Sequence, residues 1–147
     1  MAAPSVGNNV GDRLSDDREV FRAFSDKSYR ERKAARNRVR SGAYQLREED
    51  IADGLSVGLT PEAAVKHLQT NYGYCSISVG TIHALPYHLE VRVDLRDPVH
   101  AFICNLPLLT ISDEQRELAL LVGGELARRS EVITCDPFIP EAPDPAH

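Results

Sequence analysis

Apolar and polar residues alternate over several short stretches of this chain, a spacing typical of β-strands with one buried face. Cys75–Val79 and Leu89–Asp94 alternate in this way, whereas Ala101–Cys104 is continuously apolar. A continuously apolar strand is covered on both faces, so this one is predicted to lie in the centre of a sheet. Further strands are predicted at Val20–Phe24, at Glu131–Cys135 and, from a weaker pattern, at Leu55–Val57.

A first helix is predicted over Pro61–Gln69. Thr60 is a suitable N-cap, and Pro61 occupies the first helical position, where its missing N–H has no consequence. Glu62 then places a carboxylate beside the positive end of the helix dipole.

A second helix is predicted to begin after Ser112, because Gln115 three residues later completes a capping box. The apolar period predicts that the helix reaches Arg128 or Arg129. The residues expected to be buried, themselves or their neighbours, are Leu118, Leu121, Val122 and Leu126. The pair Gly123-Gly124 weakens a helix and therefore indicates close packing against another backbone.

Strands and helices do not alternate regularly, which predicts an α+β fold with short, mostly antiparallel strands and two main helices. A chain of 147 residues, 42% of them hydrophobic, fits a single domain. The domain is predicted over residues 18–135. Residues 1–17, rich in Gly, Asn, Ser and Asp, are predicted to form a flexible tail, and residues 136–147 a proline-rich one.

Composition indicates a cytoplasmic protein without a membrane partner. No stretch approaches the ~18 apolar residues needed to cross a bilayer, and the N-terminus lacks the features of a secretory signal. The cysteines are odd in number and far apart, which disfavours a disulfide framework. Cys75, Cys104 and Cys135 are therefore expected to be small buried hydrophobic residues.

A basic block lies inside this acidic protein. From Lys27 to Arg40 there are seven cations against one anion, Glu31, a net charge of +6. Because the whole chain carries −5, the remaining residues carry −11. Like charges at this density repel one another unless an anion neutralises them. The block therefore predicts an anionic ligand or partner.

The second half of this block has the clearer pattern. Arg36, Arg38 and Arg40 alternate with other residues, so an extended chain carries their guanidinium groups on one side, ~6.6 Å apart. That row suits a series of phosphates, in a nucleic acid or in a dinucleotide. The first half, through Lys33, is predicted to be a solvated loop. The open alternative for the whole block is pairing with the acidic runs at 16–17 and 48–50.

Three further residues are candidates for chemistry. Arg22 on an apolar strand needs an anion, which is either a structural partner or a ligand phosphate. Ser56 lies on a strand that leads into a helix N-terminus, where free amides bind anions if they are accessible. His100 opens an apolar strand and is a candidate general base at a sheet edge. The alternatives are a capped helix for Ser56 and a structural histidine for His100.

No metal site is predicted, because none of the five histidines stands at metal-clamp spacing from another His or Cys. Glycine fingerprints for phosphate or dinucleotide binding and the nucleophile-elbow motif are also absent from the sequence.

The order of these pieces resembles small bacterial proteins of the ADP-ribosyltransferase-like group, which includes toxins that consume NAD. The resemblance rests on Val20–Phe24 and on Gly54–Val57 running into the helix at Pro61, about 40 of 147 residues. It implies that Arg22 holds NAD phosphate and that Ser56 lies beneath the nicotinamide pocket. Glu131 and Glu90 are candidates for the carboxylate that stabilises the oxocarbenium-like transition state, although neither stands in the family's Glu-x-Glu or Gln-x-Glu context.

Two functions follow as expectations, and the residues leave open whether the chain is an enzyme. The first is an NAD-consuming, toxin- or effector-type enzyme, with NAD as substrate, no metal, and a cognate neutralising protein as partner. Its site would comprise Arg22, Ser56, His100 and Glu131, with Arg36, Arg38 and Arg40 binding the anion. The alternative is a non-enzymatic module that binds an acidic protein or a nucleic acid through residues 27–40. Nucleic acid is the less favoured, because only Tyr29 and Tyr44 lie near the block for base stacking.

Overall fold

The computed structural model describes residues 9–24, 30–33, 36–46, 53–66, 73–108 and 112–133, with the main chain alone defined at 30–33 and 36–38. These residues form a seven-stranded antiparallel sheet, a separate two-stranded hairpin and three α-helices. The strands are β1 Val10–Arg13, β2 Glu19–Ala23, β3 Arg30–Lys33, β4 Arg36–Val39, β5 Leu55–Gly58, β6 Tyr74–Ser78, β7 Glu90–Asp94, β8 Asp97–Cys104 and β9 Glu131–Ile133. The helices are α1 Pro61–Val65, α2 Val79–Ala84 and α3 Asp113–Arg128, and Ser41–Tyr44 forms a 3₁₀-helix.

The predicted α+β fold with antiparallel strands is confirmed. The sheet has the order β1-β7-β8-β5-β2-β6-β9, and every pairing in it is antiparallel. The continuously apolar segment forms the second half of β8, which pairs with β7 on one side and β5 on the other. Its predicted central place in the sheet is therefore also confirmed.

Both predicted helix starts are confirmed by their caps. Thr60 Oγ1 accepts a hydrogen bond from the backbone N–H of Ala63, and Ser112 Oγ accepts one from that of Gln115. The first helix is shorter than predicted, because α1 ends at Val65. Residues 67–72, which include the rest of the predicted helix, lie outside the described part of the chain.

Two predictions about local structure are wrong, and one helix was missed. Residues 10–13, predicted to belong to a tail, form β1 and pair with β7. Arg30–Lys33, predicted to be a loop, forms β3 of the hairpin. The helix α2, Val79–Ala84, was not predicted from the sequence. Ser78 caps α2 by accepting from the backbone N–H of Thr81. The predicted C-terminal tail lies outside the described residues.

The sheet buries one face more completely than the other. On what we call the core face, strand side chains pack with α2, α3 and the 3₁₀-helix in one hydrophobic cluster; they include Val20, Phe24, Leu55, Val57, Ile77, Val91 and Ile103. The opposite, outer face carries Phe21, Ser56, Ser76 and His100, because strand residues alternate between faces. α1 lies on the outer face, where a side chain at Gly58 would collide with the α1 backbone.

The α3 helix buries only part of its predicted apolar stripe. Val122 and Leu126 are fully buried in the core, as expected, but Leu118 and Leu121 are exposed. The two adjacent glycines of α3 also differ in what surrounds them. Gly123 packs against the 3₁₀-helix, where an added Cβ would lie 3.0 Å from Ser41 O, whereas a Cβ at Gly124 would meet open space. The predicted close backbone approach is confirmed at Gly123.

None of the helices in the described part of the chain combines the length and the apolar character that a membrane span requires.

Candidate functional site

The hairpin formed by β3 and β4 carries most of the basic block. Its eight residues include five cations and one anion, a net charge of +4. The register sets Arg30 opposite Val39, Glu31 opposite Arg38, Arg32 opposite Asn37 and Lys33 opposite Arg36. One of these four pairs, Glu31 with Arg38, joins opposite charges. Lys33 lies opposite Arg36, and like charges at such positions destabilise a strand pair. The hairpin therefore does not neutralise its own charge.

The main chain is extended from Arg36 to Arg40, as the alternating pattern predicted. Successive residues of a strand point to opposite faces, so positions 36 and 38 share the strand face opposite to Val39. Val39 is buried in the core, and Arg40 is exposed at the start of the 3₁₀-helix. The buried valine anchors the end of the hairpin that leads into the 3₁₀-helix.

Immediately after the hairpin, a buried polar cluster fixes the 3₁₀-helix. Tyr44 is 1% exposed, and its hydroxyl lies 2.6 Å from Ser130 Oγ and 3.3 Å from Cys75 Sγ. Ser130 donates in turn to the carbonyl of Leu126, so the tyrosine donates to Ser130. Burial raises the pKa of Tyr44 well above its usual value and also raises the pKa of Cys75. Both groups stay protonated at neutral pH and serve as structural bonds.

The Arg22 side chain leaves β2 on the core face and reaches the 3₁₀-helix and β5. Its Nε donates to the carbonyl of Ala43 at 2.9 Å, and its Nη1 donates to the carbonyl of Ser56 at 3.0 Å. The strands β2 and β5 pair at a single register position, Phe21 with Gly58. Beyond that position the guanidinium of Arg22 donates the hydrogen bond to the main chain of β5. The arginine thus ties the 3₁₀-helix to β5.

Ser56 and Arg22 are neighbours, but their side chains leave opposite faces of the sheet. Phe21 is paired with Gly58 and alternates with Arg22, whereas Ser56 alternates with Val57 and shares the face of Gly58. The Ser56 side chain is exposed on the outer face. The contact between the two residues therefore runs through the main-chain oxygen of Ser56 and leaves its hydroxyl on the other side.

His100 lies inside the sheet on β8 rather than at the predicted edge. Its Nδ1 is 2.8 Å from Asp97 Oδ2, and its Nε2 is 2.9 Å from the carbonyl of Ala63. Both partners are acceptors, so the two bonds exist together only when both ring nitrogens carry hydrogen. Ser56 is its diagonal neighbour on the same face, at about 7–8 Å. Both nitrogens are engaged, and the ring joins α1 to β8.

A second histidine, His83, was considered from the sequence only as a metal ligand and also makes two hydrogen bonds. Its Nδ1 donates to Asp16 Oδ1 at 2.7 Å, and its Nε2 accepts from the backbone N–H of Val91 at 3.0 Å. This arrangement selects the neutral ring with hydrogen on Nδ1. No local signal could have found it, because Asp16 is 67 residues distant in sequence.

Glu131 lies on the edge strand β9, far from Ser56 and His100. A single cross-strand row on the outer face runs through Glu131, Ser76, Phe21, Gly58 and His100. Its two ends are four strand spacings apart, about 19 Å at ~4.8 Å per spacing. Glu90 is nearer to Ser56, two strands away on the same face, and it pairs with Arg13 and Arg92. The structure places Arg22, Ser56 and His100 on adjacent strands, with Glu131 two strands from Arg22 and four from His100.

The cysteines and acidic groups give no further centre among the described residues. Cys75 and Cys104 are buried and unpaired with each other, as predicted, and burial raises the pKa of Cys104 to about 11. Cys135 lies outside the described residues. Within the described ranges there is also no group of three His, Cys, Asp or Glu side chains placed to hold a metal ion.

Comparison of the chain with protein-family models, with curated proteins and with solved structures finds no match. Function is therefore argued from the geometry alone.

Proposed function

We propose that this chain is a binding protein that docks an acidic protein segment through the β3–β4 hairpin. The observation that carries the proposal is the register of the hairpin. Of the five cations on its two strands, only Arg38 stands directly opposite an anion, while Lys33 and Arg36 oppose each other. Such a ribbon gains stability when an external anion enters between its charges.

An acidic protein fits this surface better than a nucleic acid does. Single-stranded nucleic acids bind through a basic groove together with aromatic platforms for the bases. Tyr44, one of two tyrosines near the block, is buried and hydrogen-bonded to Ser130, so it cannot stack on a base. The net −11 outside the block also repels an extended polyanion. A short acidic segment needs only the hairpin itself.

The experiment measures binding of a fluorescent polyglutamate peptide at several salt concentrations. The test variant is Arg36→Gln/Arg38→Gln, which removes two cations of β4. The matched control is Arg18→Gln/Arg116→Gln, which removes the same charge from two exposed positions outside the hairpin. We expect the hairpin variant to weaken binding at least ~10-fold, or ~1.4 kcal/mol, and the control to change it less than threefold.

Equal losses in both variants would show that the peptide senses only net charge, which would contradict the proposal. Single-stranded RNA and DNA form a second arm of the same titration. Tighter binding of nucleic acid than of polyglutamate, with a salt slope that falls by ~1.4 in the hairpin variant, would replace the acidic protein by a nucleic acid as the partner.

A second candidate function is an NAD-consuming enzyme of the ADP-ribosyltransferase-like type. One contact favours it: Arg22 Nη1 donates to the Ser56 carbonyl, so the two residues that the resemblance assigns to NAD binding are neighbours. Mass spectrometry of NAD incubated with the protein tests this candidate. If this candidate is right, the wild type releases nicotinamide and Ser56→Ala does not. The Ser56 side chain is exposed, so its removal should leave the fold intact. Intact NAD after incubation with the wild type would eliminate it.

A further inference from the structure

The strand that leads to the hairpin and the last strand of the sheet both end at the same end of the sheet. The register sets Ala23, the last residue of β2, opposite Tyr74, and it sets Tyr74 opposite Ile133, the last residue of β9. This row spans two strand spacings, about 9.6 Å at ~4.8 Å per spacing. The strand β9 also lies against β4. The chain that follows Ile133 therefore starts beside the basic hairpin.

The sequence that follows β9 is opposite in charge to the hairpin. Residues 134–147, which lie outside the described part of the chain, contain Asp136, Glu141 and Asp144 and no lysine or arginine, a net charge of −3. The strands β3 and β4 carry five cations and one anion, a net charge of +4. The acidic segment is thus attached to the protein at the place where an anion is wanted.

We propose that residues 134–147 bind the β3–β4 hairpin of their own chain and compete there with the acidic protein partner. This contact rests on the proposed function, because both ligands offer carboxylates to the same cations. One of them is released when the other binds. The segment therefore acts as an autoinhibitor that sets the apparent affinity of the hairpin for its partner.

The length of the segment suits this contact. Asp136 is three residues beyond Ile133, so it lies at most about 11 Å from it. Four prolines among residues 137–145 favour extended backbone, ~3.1 Å per residue. The eight steps from Asp136 to Asp144 then span about 25 Å, whereas a strand of four residues spans about 13 Å. The carboxylates can therefore be distributed along the whole hairpin.

Tethering makes a weak ionic contact effective. Exposed charge pairs are individually weak, but a short linker holds its ligand at a local concentration of about 1 mM. A local concentration of ~1 mM against an intrinsic Kd of ~0.1–0.5 mM weakens a competing ligand about 3- to 10-fold. We therefore expect the segment to lower the affinity for the partner without abolishing binding.

Neutralising the segment in the full chain tests the competition. The variant Asp136→Asn/Glu141→Gln/Asp144→Asn should bind fluorescent polyglutamate ~3–10-fold more tightly than the wild type at low salt. The advantage should shrink as salt is added, because the Debye length falls from ~30 Å at 0.01 M to ~10 Å at 0.1 M.

The matched control separates the segment from net charge. Asp12→Asn/Glu114→Gln/Glu117→Gln removes the same charge from three exposed positions outside the segment. Because these carboxylates are not tethered beside the hairpin, the control should tighten polyglutamate binding less than ~2-fold.

Amide chemical shifts detect the contact without any peptide. Between the ¹⁵N-labelled wild type and the neutralised variant, the amides of Arg30–Lys33 and Arg36–Val39 should move most among the described strands. Amides near the exposed cations Arg18 and Arg116 should hardly move. The shifts should be the same in dilute and concentrated samples, because the contact lies within one chain.

Each outcome has a distinct meaning. Equal polyglutamate affinity of the wild type and the neutralised variant, with unchanged hairpin amides, overturns the autoinhibition and leaves the proposed function standing. Absence of polyglutamate binding by both proteins overturns the proposed function itself. Equal tightening by the control variant overturns the autoinhibition, because net charge is then the cause. Shifts that grow with protein concentration assign the segment to the hairpin of a second copy and also overturn the contact within one chain.

Discussion

At the scale of single residues, Arg22 shows how an apolar strand accommodates a cation. The sequence analysis expected an ionic partner or a phosphate, and two partners in the structure are carbonyls, those of Ala43 and Ser56. A guanidinium satisfies several carbonyls at once because its donors are fixed in a fork. The residue therefore has a structural duty whether or not it also binds a ligand.

Arg22→Ala should lower the free energy of unfolding by about 1–3 kcal/mol, because two main-chain carbonyls lose a charged donor. Urea unfolding measures it, with Ser56→Ala as the control. The exposed serine should stay within about 0.5 kcal/mol of the wild type. Equal stability of both variants would show that the Arg22 bonds contribute nothing.

The two adjacent glycines of α3 should respond oppositely to the same substitution. Gly124→Ala should stabilise the protein by about 0.5–1 kcal/mol, because it removes chain entropy without a collision. Gly123→Ala should destabilise it by about 1 kcal/mol, since the methyl displaces the Gln45 amide that bonds to Ser41 O. Urea unfolding at low protein concentration measures both. Stabilisation by both substitutions would contradict the close packing at Gly123.

At the scale of elements, a small cluster around Asp97 joins α1 to β8. The hydrogen bond from the backbone N–H of Val99 is the main cause that lowers the pKa of Asp97. The hydrogen bond from His100 and the charges of His100 and Lys66 also lower this pKa, while partial burial raises it. The folded-state pKa is thus below the unfolded value of about 3.9. The carboxylate contributes stability that is present above the unfolded pKa and is lost as the pH falls through the folded pKa.

Asp97→Asn should therefore reduce stability at pH 7 and flatten the loss of stability that the wild type shows as the pH falls below about 4. Urea midpoints across that range measure the effect. Asp17→Asn serves as a comparison at an exposed carboxylate. If Asp97→Asn retained the full acid dependence of the wild type, the bonds from Val99 and His100 to this carboxylate would not be stabilising.

The hairpin offers an element-scale test that separates folding from binding. Lys33→Glu converts its like-charged pair with Arg36 into a complementary one and should stabilise the protein by about 0.2–1 kcal/mol. The same substitution should weaken polyglutamate binding, because it removes positive charge from the proposed docking surface. Thermal melts and peptide titration measure the two effects. A variant with lower stability or unchanged binding would contradict the register-based account.

At the scale of the whole molecule, the sequence predicted what depends on neighbouring residues. Period-two alternation located β6 and β7, a continuously apolar run located β8, and side-chain caps at Thr60 and Ser112 located two helix starts. The helix α2 was missed because its apolar residues continue the pattern of β6, and only the Ser78 cap ends the strand. Local signals of this kind determine the elements and the fold class.

What could not be predicted depends on pairings between distant segments. The outward direction of Leu118 and Leu121 follows from where α3 packs, which a helical period does not specify. Likewise, the separation of Glu131 from His100 follows from strand order, in which β9 forms one edge of the sheet. The basic block was visible at once from charge. Its hairpin register, on which the proposed function rests, required the structure.

The central claim is that the β3–β4 hairpin receives the anionic partner. Its most direct test is a titration of ¹⁵N-labelled protein with polyglutamate, followed by backbone amide chemical shifts. The account predicts that the largest shifts fall on Arg30–Lys33 and Arg36–Val39, and that amides near the exposed cations Arg18 and Arg116 hardly move. Shifts spread evenly over all cationic positions, or confined to residues outside the hairpin, would contradict it.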